Sequence, residues 1–466
     1  MYEFFLEDHR YSHIHFIGIG GISMSGLAEI LLDEGYKVTG SDSKNSPTVE
    51  RLRRLGAQIY IGHSKENIGH ADLVIYTDAI SKDNEELLKA HSSEAEVVDR
   101  ATFLGALMRN YTNSIAVSGT HGKTTTTSMI ATITTHADLN PTILLGGELD
   151  EIGGNVRIGS REFILTEACE YKGNILKYFP TMAIILNIDE DHLDYFKDIE
   201  HIIDTFVGYG KNLSKNSYLV INSDDIYSSR VIKETKADIV TFAIDDNKAD
   251  YYASNVKFTE EGYPSFTLNV KGKEICDINL SVMGKHNIYN ALASIAATHT
   301  YGIPIEIITE FTKYYKGVHR RLELKGCLNN IKIVDDYAHH PTEIKASLNA
   351  LRNSTEGNIY CIFQPHTYTR TRLLLDSFAK SFTDADKIII ADIYAARELD
   401  NGEVHSKNLA DAINNAGCDA IYIPTFEEIE SYLLDNARDN DVIVTMGAGN
   451  IYMVGESLLN NNRAHI

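Results

Sequence analysis

Residues 119–127 read Gly-Thr-His-Gly-Lys-Thr-Thr-Thr-Thr, directly after the apolar run Ile115-Ala116-Val117. A strand that ends in a glycine turn and resumes as a helix presents backbone N–H groups and a positive helix end to an anion. An amine at Lys123 suits outer phosphates and a hydroxyl at Thr124 suits Mg²⁺, so Gly119, Thr120, His121, Gly122, Lys123, Thr124 and Thr125 form a candidate nucleoside-triphosphate loop. The full pattern has a glycine where this chain has Val117, so the match is to a shortened loop bracketed by Gly119 and Gly122. An ordinary glycine turn with one threonine as cap is the competing reading. The Lys-Thr pair in register behind a strand outweighs it.

A second constellation lies near the N-terminus. The strand-like run Ile14–Ile17 leads into Gly18-Ile19-Gly20-Gly21, and Asp42 follows about 20 residues on, where an acid meets a ribose hydroxyl. That pattern reads as a nucleotide diphosphate without specifying which. Two further apolar runs, Phe163–Leu165 and Met182–Leu186, each end in a polar cluster, Thr166–Tyr171 and Asn187–His192. Ligands of open α/β sheets bind beyond the carboxyl ends of strands, which puts Glu167 and His192 where the nucleotide and its metal would lie. Carboxylate and hydroxyl oxygens are ordinary Mg²⁺ ligands and imidazole is a less usual one, so His192 also reads as a histidine at a helix start.

Three α/β segments are expected to position these groups. The first alternates helix (Thr48–Leu55) and strand (Lys37–Gly40, Gln58–Ile61, Leu73–Tyr76) as a parallel sheet would, with Leu27–Leu32 as a helix after the glycine loop. The second starts at the triphosphate-loop strand and carries, over residues 249–281, an antiparallel hairpin insert with turns at Glu261-Gly262 and Lys271-Gly272; Gly284–Asn290 then leads into an Ala-rich helix. The third has strands at Lys332–Val334, Ile359–Phe363, Lys387–Ala391, Ala420–Ile423 and Asp441–Thr445 and reads as another doubly wound unit. The expected domains are 1–112, 113–321 and 322–466: a Rossmann-like N-terminal domain, a central P-loop ATPase-like domain and a Rossmann-like C-terminal domain. Their junction is the expected place for a site closed by domain movement.

Composition narrows the function classes. The 466 residues carry a net charge of −22 with no Lys/Arg-rich block, which argues against nucleic acid or an anionic membrane as the main partner. Five dispersed cysteines without a CxxC pair argue against structural disulfides or a zinc site and for a reducing, cytoplasmic location. No apolar run approaches a membrane span. A NAD-dependent dehydrogenase would use Gly18–Gly26 but leave Lys123, Glu167 and His192 idle. A nucleotide switch or transport ATPase would leave the first glycine loop and the third segment idle.

Five signatures in order carry a resemblance: Ile14–Ala28, Gly119–Thr126, Gly284-Lys285-His286-Asn287, Asp335–Glu343 and Phe363-Gln364-Pro365-His366. Over essentially its whole length the chain resembles the Mur ligases, ATP-dependent amino-acid ligases of bacterial cell-wall precursor synthesis. Within them it is most similar to members that add L-alanine to UDP-N-acetylmuramate, with the murein-tripeptide recycling ligases second. The resemblance implies an acyl phosphate made from ATP and attacked by the amine. It implies that Gly18, Gly20 and Gly21 face the UDP diphosphate, with Asp42 and His63 as ribose or uracil contacts. Lys123 and Thr124 would hold ATP phosphates and Mg²⁺, with Glu167 and His192 as further metal ligands. Asn287 and Asn290 would contact adenine, and Arg320 or Arg321 the γ-phosphate, with Arg321 in the catalytic role. Asp336 would serve the ATP site, Tyr337 and His339 the amino-acid site, and Arg370 would hold the amino acid's carboxylate. His339 or His340 would take the ammonium proton, since an imidazole titrates in a suitable range; anchoring the Pro341 turn is the alternative for either. Asp336 and Arg370 are expected at strand ends. Two positions depart from relatives: Cys169 replaces an acid beside Glu167, and Thr367 stands where many carry arginine.

Overall fold

Apolar runs flanked by helices dominate the strands, because a parallel strand covered on both faces has no polar side to show. The structure, a computed structural model, describes residues 2–311, 314–396 and 398–463. In the first segment β1 (His13–Ile17), β2 (Lys37–Asp42), β3 (Gln58–Ile61), β4 (Leu73–Tyr76) and β5 (Glu96–Asp99) form a parallel sheet in the order β3-β2-β1-β4-β5. The order reverses between β1 and β4, which opens a crevice at the carboxyl ends beside the glycine loop. The following helix starts earlier than the apolar run suggests and spans Ile22–Asp33. The next helix, Pro47–Arg54, has Ser46 as its cap, accepting the Val49 N–H at 3.2 Å.

In the second segment β6 (Asn113–Ser118), β7 (Thr142–Leu149), β8 (Gly154–Arg157), β9 (Phe163–Glu167), β10 (Met182–Ile185), β11 (Tyr218–Asn222) and β12 (Asp238–Ala243) follow the order β12-β11-β10-β6-β9-β7-β8. Only β8 runs antiparallel to its neighbour. The helix Lys123–His136 leaves the end of the central strand β6 and is backed by the Ala-rich helix His286–Tyr301, where Ser294 Oγ reaches the Thr126 carbonyl at 3.3 Å. Residues 249–281 depart from the expected hairpin. Their two turns separate three antiparallel strands, β13 (Tyr251–Phe258), β14 (Pro264–Val270) and β15 (Lys273–Asn279).

The third segment contains β16 (Glu323–Leu328), β17 (Ile331–Asp336), β18 (Ile359–Phe363), β19 (Lys387–Ile390), β20 (Ala420–Tyr422) and β21 (Val442–Met446), ordered β16-β17-β21-β18-β19-β20. Alternate residues serve opposite faces: Val334, Cys361 and Phe363 join one core with Ile344 and Leu348, while Ile333, Tyr360 and Ile362 join another with Ile429 and Leu433. That is the doubly wound arrangement. The edge strand β16 pairs antiparallel with β17 and escaped sequence reading, because Lys325-Gly326 interrupts its alternation.

Internal contacts gather the chain into two compact units. The first comprises Met1–Ile188, Ile202–Phe242 and Ala293–Phe311; the second comprises Asp189–His201, Ala243–Leu292 and Thr312–Ile466. Within the first unit the first two sheets are tied by Lys177 to Asp99 at 2.8 Å and by Arg161 to Glu7 at 2.9 Å. Among the described residues, no cysteine is in a disulfide and no helix is long and apolar enough to cross a membrane.

Candidate active site

The candidate triphosphate loop is short because its strand is long. Val117 lies inside β6, in register with Ile184 of β10 and Glu167 of β9, so the turn proper starts at Gly119. Gly122 takes φ 86°, a conformation that costs an L side chain, and the helix begins at Lys123. Asn187 shapes the loop from outside. Its Oδ1 accepts the His121 N–H at 2.8 Å, its Nδ2 donates to the His121 carbonyl at 3.1 Å, and its own carbonyl accepts the Thr120 N–H at 3.1 Å. Lys123 Nζ donates to the carbonyls of Gly119 (2.6 Å) and Thr120 (2.9 Å) and pairs with Glu170 Oε2 at 3.3 Å. Burial would lower the Lys123 pKa, but the negative groups led by Glu170 outweigh it and hold the amine above its ordinary range. It is a fixed cation.

The same unit assembles oxygen donors. Thr124 is buried and Glu170 Oε1 is buried without a hydrogen-bond partner. Glu167 Oε1 accepts the Gly146 N–H at 2.6 Å, and a Cβ at position 146 would sit 2.7 Å from that oxygen. Gly146 is therefore a glycine because a carboxylate leans on its backbone. Asn187 and Glu170 belong to the polar clusters that end β10 and β9. Gly146 had only one signal, a glycine inside a strand, which marks close backbone approach.

At the first glycine loop the N–H groups are mostly committed. Those of Gly18 and Ile19 donate to the Ser41 carbonyl (2.8 and 2.9 Å), and that of Gly20 donates to Asp42 Oδ2 at 2.9 Å. Asp42 thus pins the loop. The helix Ile22–Asp33 begins after Gly21 without a side-chain cap, and its first turn supplies donors at the crevice. His63, just past β3, turns Nδ1 inward to Glu86 Oε2 at 2.9 Å.

The second unit holds the remaining groups. Arg320 is held by its neighbours: Nε bonds Asp335 Oδ2 at 3.0 Å, Nη2 bonds the Gly447 carbonyl at 2.7 Å, and the guanidinium lies over the rings of Tyr337 and Tyr452. Arg321 lies over Tyr337 at 5.2 Å and makes no side-chain hydrogen bond or ion pair among the described residues. Of the two, Arg321 retains donors for an anion. Asp336 ends β17 but is buried rather than solvated, accepting from Ala338 N (2.7 Å), Ser347 Oγ (2.9 Å) and Leu322 N (3.2 Å). Burial, offset in part by Arg321, raises its carboxyl to about 6. Asn287 and Asn290 are buried, Asn290 Nδ2 donating to Asn287 Oδ1 at 2.9 Å and Asn287 Nδ2 to the Met283 carbonyl at 2.7 Å.

Arg370 departs from the expected strand end. It sits on the helix Tyr368–Leu373, where Asp191 Oδ1 accepts from its Nη2 (3.0 Å) and Nε (3.3 Å), and Nη1 meets His366 Nδ1 at 3.2 Å. Burial works against ionising Asp191, but His192 and Arg370 outweigh it and hold the carboxyl far below the usual range. Thr367 caps this helix, its Oγ1 accepting the Arg370 N–H at 3.4 Å, at φ 66° and ψ 145°. His192 takes φ 54° and its carbonyl accepts the N–H groups of Tyr195 and Phe196, so it opens a turn rather than a helix, the next helix starting at Ile199.

The two candidate bases separate. His340 caps the helix Pro341–Arg352, Nδ1 accepting the Thr342 N–H at 3.3 Å while Nε2 meets the Glu190 carbonyl at 2.7 Å. It is an anchor. His339 Nδ1 faces the Tyr337 carbonyl at 3.0 Å and so carries the hydrogen, which makes Nε2 the acceptor. Burial, assisted by Arg370, lowers its pKa to about 4, so the ring is neutral at pH 7 and a weaker base than the ordinary imidazole the sequence suggests.

Three family models match successive parts of the chain: "Mur ligase family, catalytic domain" over residues 13–112, "Mur ligase middle domain" over 117–298 and "Mur ligase, glutamate ligase domain" over 320–449. The chain is 53% identical over 458 residues to the UDP-N-acetylmuramate–L-alanine ligase of Acetivibrio thermocellus, covering 98% of each chain. It is 51% identical to the ligase of that name from Caldanaerobacter subterraneus, covering 97% of this chain and 98% of the other. Among solved structures it is similar to the UDP-N-acetylmuramate-alanine ligase of Thermotoga maritima, with TM-score 0.82, 29% identity, and coverage of 97% of this chain and 100% of that one. It is also similar to a murein peptide ligase of Psychrobacter arcticus, with TM-score 0.73, 25% identity, and coverage of 96% and 98%.

Proposed function

The chain belongs to the Mur ligase family, and from that premise we propose that it joins L-alanine to the lactyl carboxylate of UDP-N-acetylmuramate, consuming ATP and releasing ADP and phosphate, in peptidoglycan precursor synthesis. The observation that carries this reading is 53% identity across 98% of the UDP-N-acetylmuramate–L-alanine ligase of Acetivibrio thermocellus. The domains are taken as 1–112, 113–321 and 322–466, each built on one of the three segments.

A carboxylate carbon is a poor electrophile and its oxygen a poor leaving group. Transfer of the γ-phosphoryl group makes an acyl phosphate, whose carbonyl carbon the amine attacks with loss of phosphate; catalysis is then positioning and charge neutralisation. Lys123, fixed as a cation, and Arg321, with donors to spare, supply positive charge to the transferring group. Thr124, Glu167 and the unsatisfied Glu170 oxygen are hard donors of the kind Mg²⁺ takes, and they fit that ion; His192 completes the proposed ligand set. Mg²⁺, when bound, neutralises phosphate charge. Asn287 and Asn290 shape the adenine end, Asp336 holds the backbone just after both Arg321 and Tyr337, and Arg320 braces the same junction. Arg370, aimed by Asp191 and His366, takes the amino acid's carboxylate beside Tyr337, and His339 Nε2 receives the ammonium proton. Gly18, Gly20, Gly21, Asp42 and His63 form the UDP site. A cytosolic location belongs to the same reading, since ATP and a UDP-sugar are substrates.

ADP release measured with UDP-N-acetylmuramate and a panel of amino acids tests the proposal. ATP turnover requiring both the sugar acid and L-alanine supports it, and ¹⁸O from the sugar's carboxylate should appear in released phosphate. Turnover that needs neither partner, or phosphate free of that label, overturns it.

A further inference from the structure

Beneath the first crevice lies a polar chain that the reaction does not explain. Glu86, on the helix Glu85–His91, is fully buried, yet its carboxylate is saturated. Oε1 faces His15 Nε2 at 2.8 Å; Oε2 accepts from Ser41 Oγ at 2.6 Å and faces His63 Nδ1 at 2.9 Å. The chain continues through His15 Nδ1 to Thr39 Oγ1 at 2.7 Å and on to His13 Nε2 at 2.8 Å. A carboxylate only accepts, so each ring nitrogen facing it carries a hydrogen. Burial alone would raise the Glu86 pKa, but hydrogen bonds from His15, His63 and Ser41 hold it down to about 2. Glu86 is thus a buried anion shared by two imidazoles.

Of those imidazoles only His63 reaches solvent, its side chain 20% exposed against none for His15. It stands just past the carboxyl end of β3, beside Asp42 and the glycine loop. With Nδ1 committed, Nε2 is what it offers outward, and no partner for Nε2 exists among the described residues. The charged or titratable groups facing it are Glu86 from its helix and Asp42 from β2, with His15 from β1 across the shared carboxylate. The hydrogen bond that His63 donates to Glu86 raises the His63 pKa against the lowering effect of burial, and Asp42 adds to the rise.

We propose that Glu86 is a positioning residue for substrate recognition: it holds His63 through Nδ1, favours the charged form of the ring by its own charge, and aims Nε2 at the nucleotide of a nucleoside-diphosphate-linked substrate. This rests on the UDP reading of the first domain. A raised histidine pKa means the charged donor is present at low pH and lost as pH rises through the folded value. Substrate affinity therefore carries a pH dependence that belongs to Glu86.

Calorimetry with UDP-N-acetylmuramate across pH 5.5–8.5, alongside NMR titration of the His63 ring, tests this. In the parent protein His63 should titrate above about 6.5 and affinity should fall by up to about tenfold per pH unit beyond that point. Glu86→Gln keeps the shape but removes the charge, so affinity should match the parent within about twofold near pH 5.5 and fall at least about fivefold below it near pH 8, with KM for ATP unchanged. His63→Asn should bind weakly and without that pH dependence. A parent His63 titrating at or below about 6.5, or a Glu86→Gln loss equal at every pH, overturns the inference. The ring titration is read on the parent, so misfolding of a variant does not remove the test. Absence of binding by the parent at any pH overturns the UDP reading itself, and this inference with it.

Discussion

Lys123 concentrates more of the proposed chemistry than any other side chain, because its amine is anchored by two loop carbonyls and Glu170 and has no neutral state near pH 7. Lys123→Ala should lower the ligation rate by at least about 3 kcal/mol of transition-state stabilisation, roughly a hundredfold or more, while UDP-N-acetylmuramate still raises the melting temperature. Near-parental turnover would remove this loop from the mechanism. Arg370 tests the amino-acid end. Asp191 occupies its Nε and Nη2, an arrangement a lysine ammonium does not reproduce. Arg370→Lys should raise KM for L-alanine more than about tenfold and leave KM for ATP nearly unchanged; steady-state kinetics on both substrates decide it, and an alanine KM within twofold of the parent would place the carboxylate contact elsewhere. Asp336 gives a pH signature. Its folded carboxyl is raised to about 6, so its stabilising contribution is present at low pH and is lost as pH rises between the ordinary aspartate value and about 6. The effect is at most about 3 kcal/mol. Denaturant unfolding of Asp336→Asn should lack that decline over the window, and an unchanged pH profile would contradict the assignment.

At the scale of elements, the helix Tyr368–Leu373 depends on one strained cap. Thr367 holds φ 66° and ψ 145°, close to a region favoured by glycine, while its hydroxyl meets the Arg370 N–H. Thr367→Ala keeps the strain and loses the bond, costing about 1 kcal/mol of stability. Thr367→Gly loses the bond but relieves the strain and should be closer to neutral. Thermal scans separate the two, and an alanine variant more stable than the glycine variant would refute the cap-and-strain account. Thr367 is therefore a residue with a structural task. The legibility of elements follows the same logic. Buried strands such as β4 and β18 were read to the residue, because burial on both faces leaves an unbroken apolar run. The edge strand β16 and the extra strand among 249–281 were not, since half-exposed strands tolerate glycine and polar residues.

For the whole molecule, a net charge of −22 means that self-repulsion opposes the folded state at low ionic strength. Raising NaCl from about 20 to about 200 mM should increase the melting temperature, because screening beyond about 10 Å weakens repulsion before it weakens contact pairs. A melting temperature that falls over that range would mean that local ion pairs, such as Arg161 with Glu34 and Lys177 with Asp99, dominate instead.

By itself the sequence determined the three α/β segments, the glycine turn between β6 and its helix, and the family, because these depend on contiguous residues: apolar runs, glycine turns and a lysine-threonine pair in register. Tertiary structure decided which neighbour does what. Arg320 and Arg321 are adjacent in the chain, yet only folding ties one to Asp335 and Gly447 and leaves the other without a side-chain hydrogen bond among the described residues. His339 and His340 are equally adjacent, and packing makes the second a cap and the first a neutral acceptor. Glu86 meets His15 and His63 across 71 and 23 residues of chain. Hydrogen bonds, burial and charge act through space, and no local pattern records which distant group will arrive.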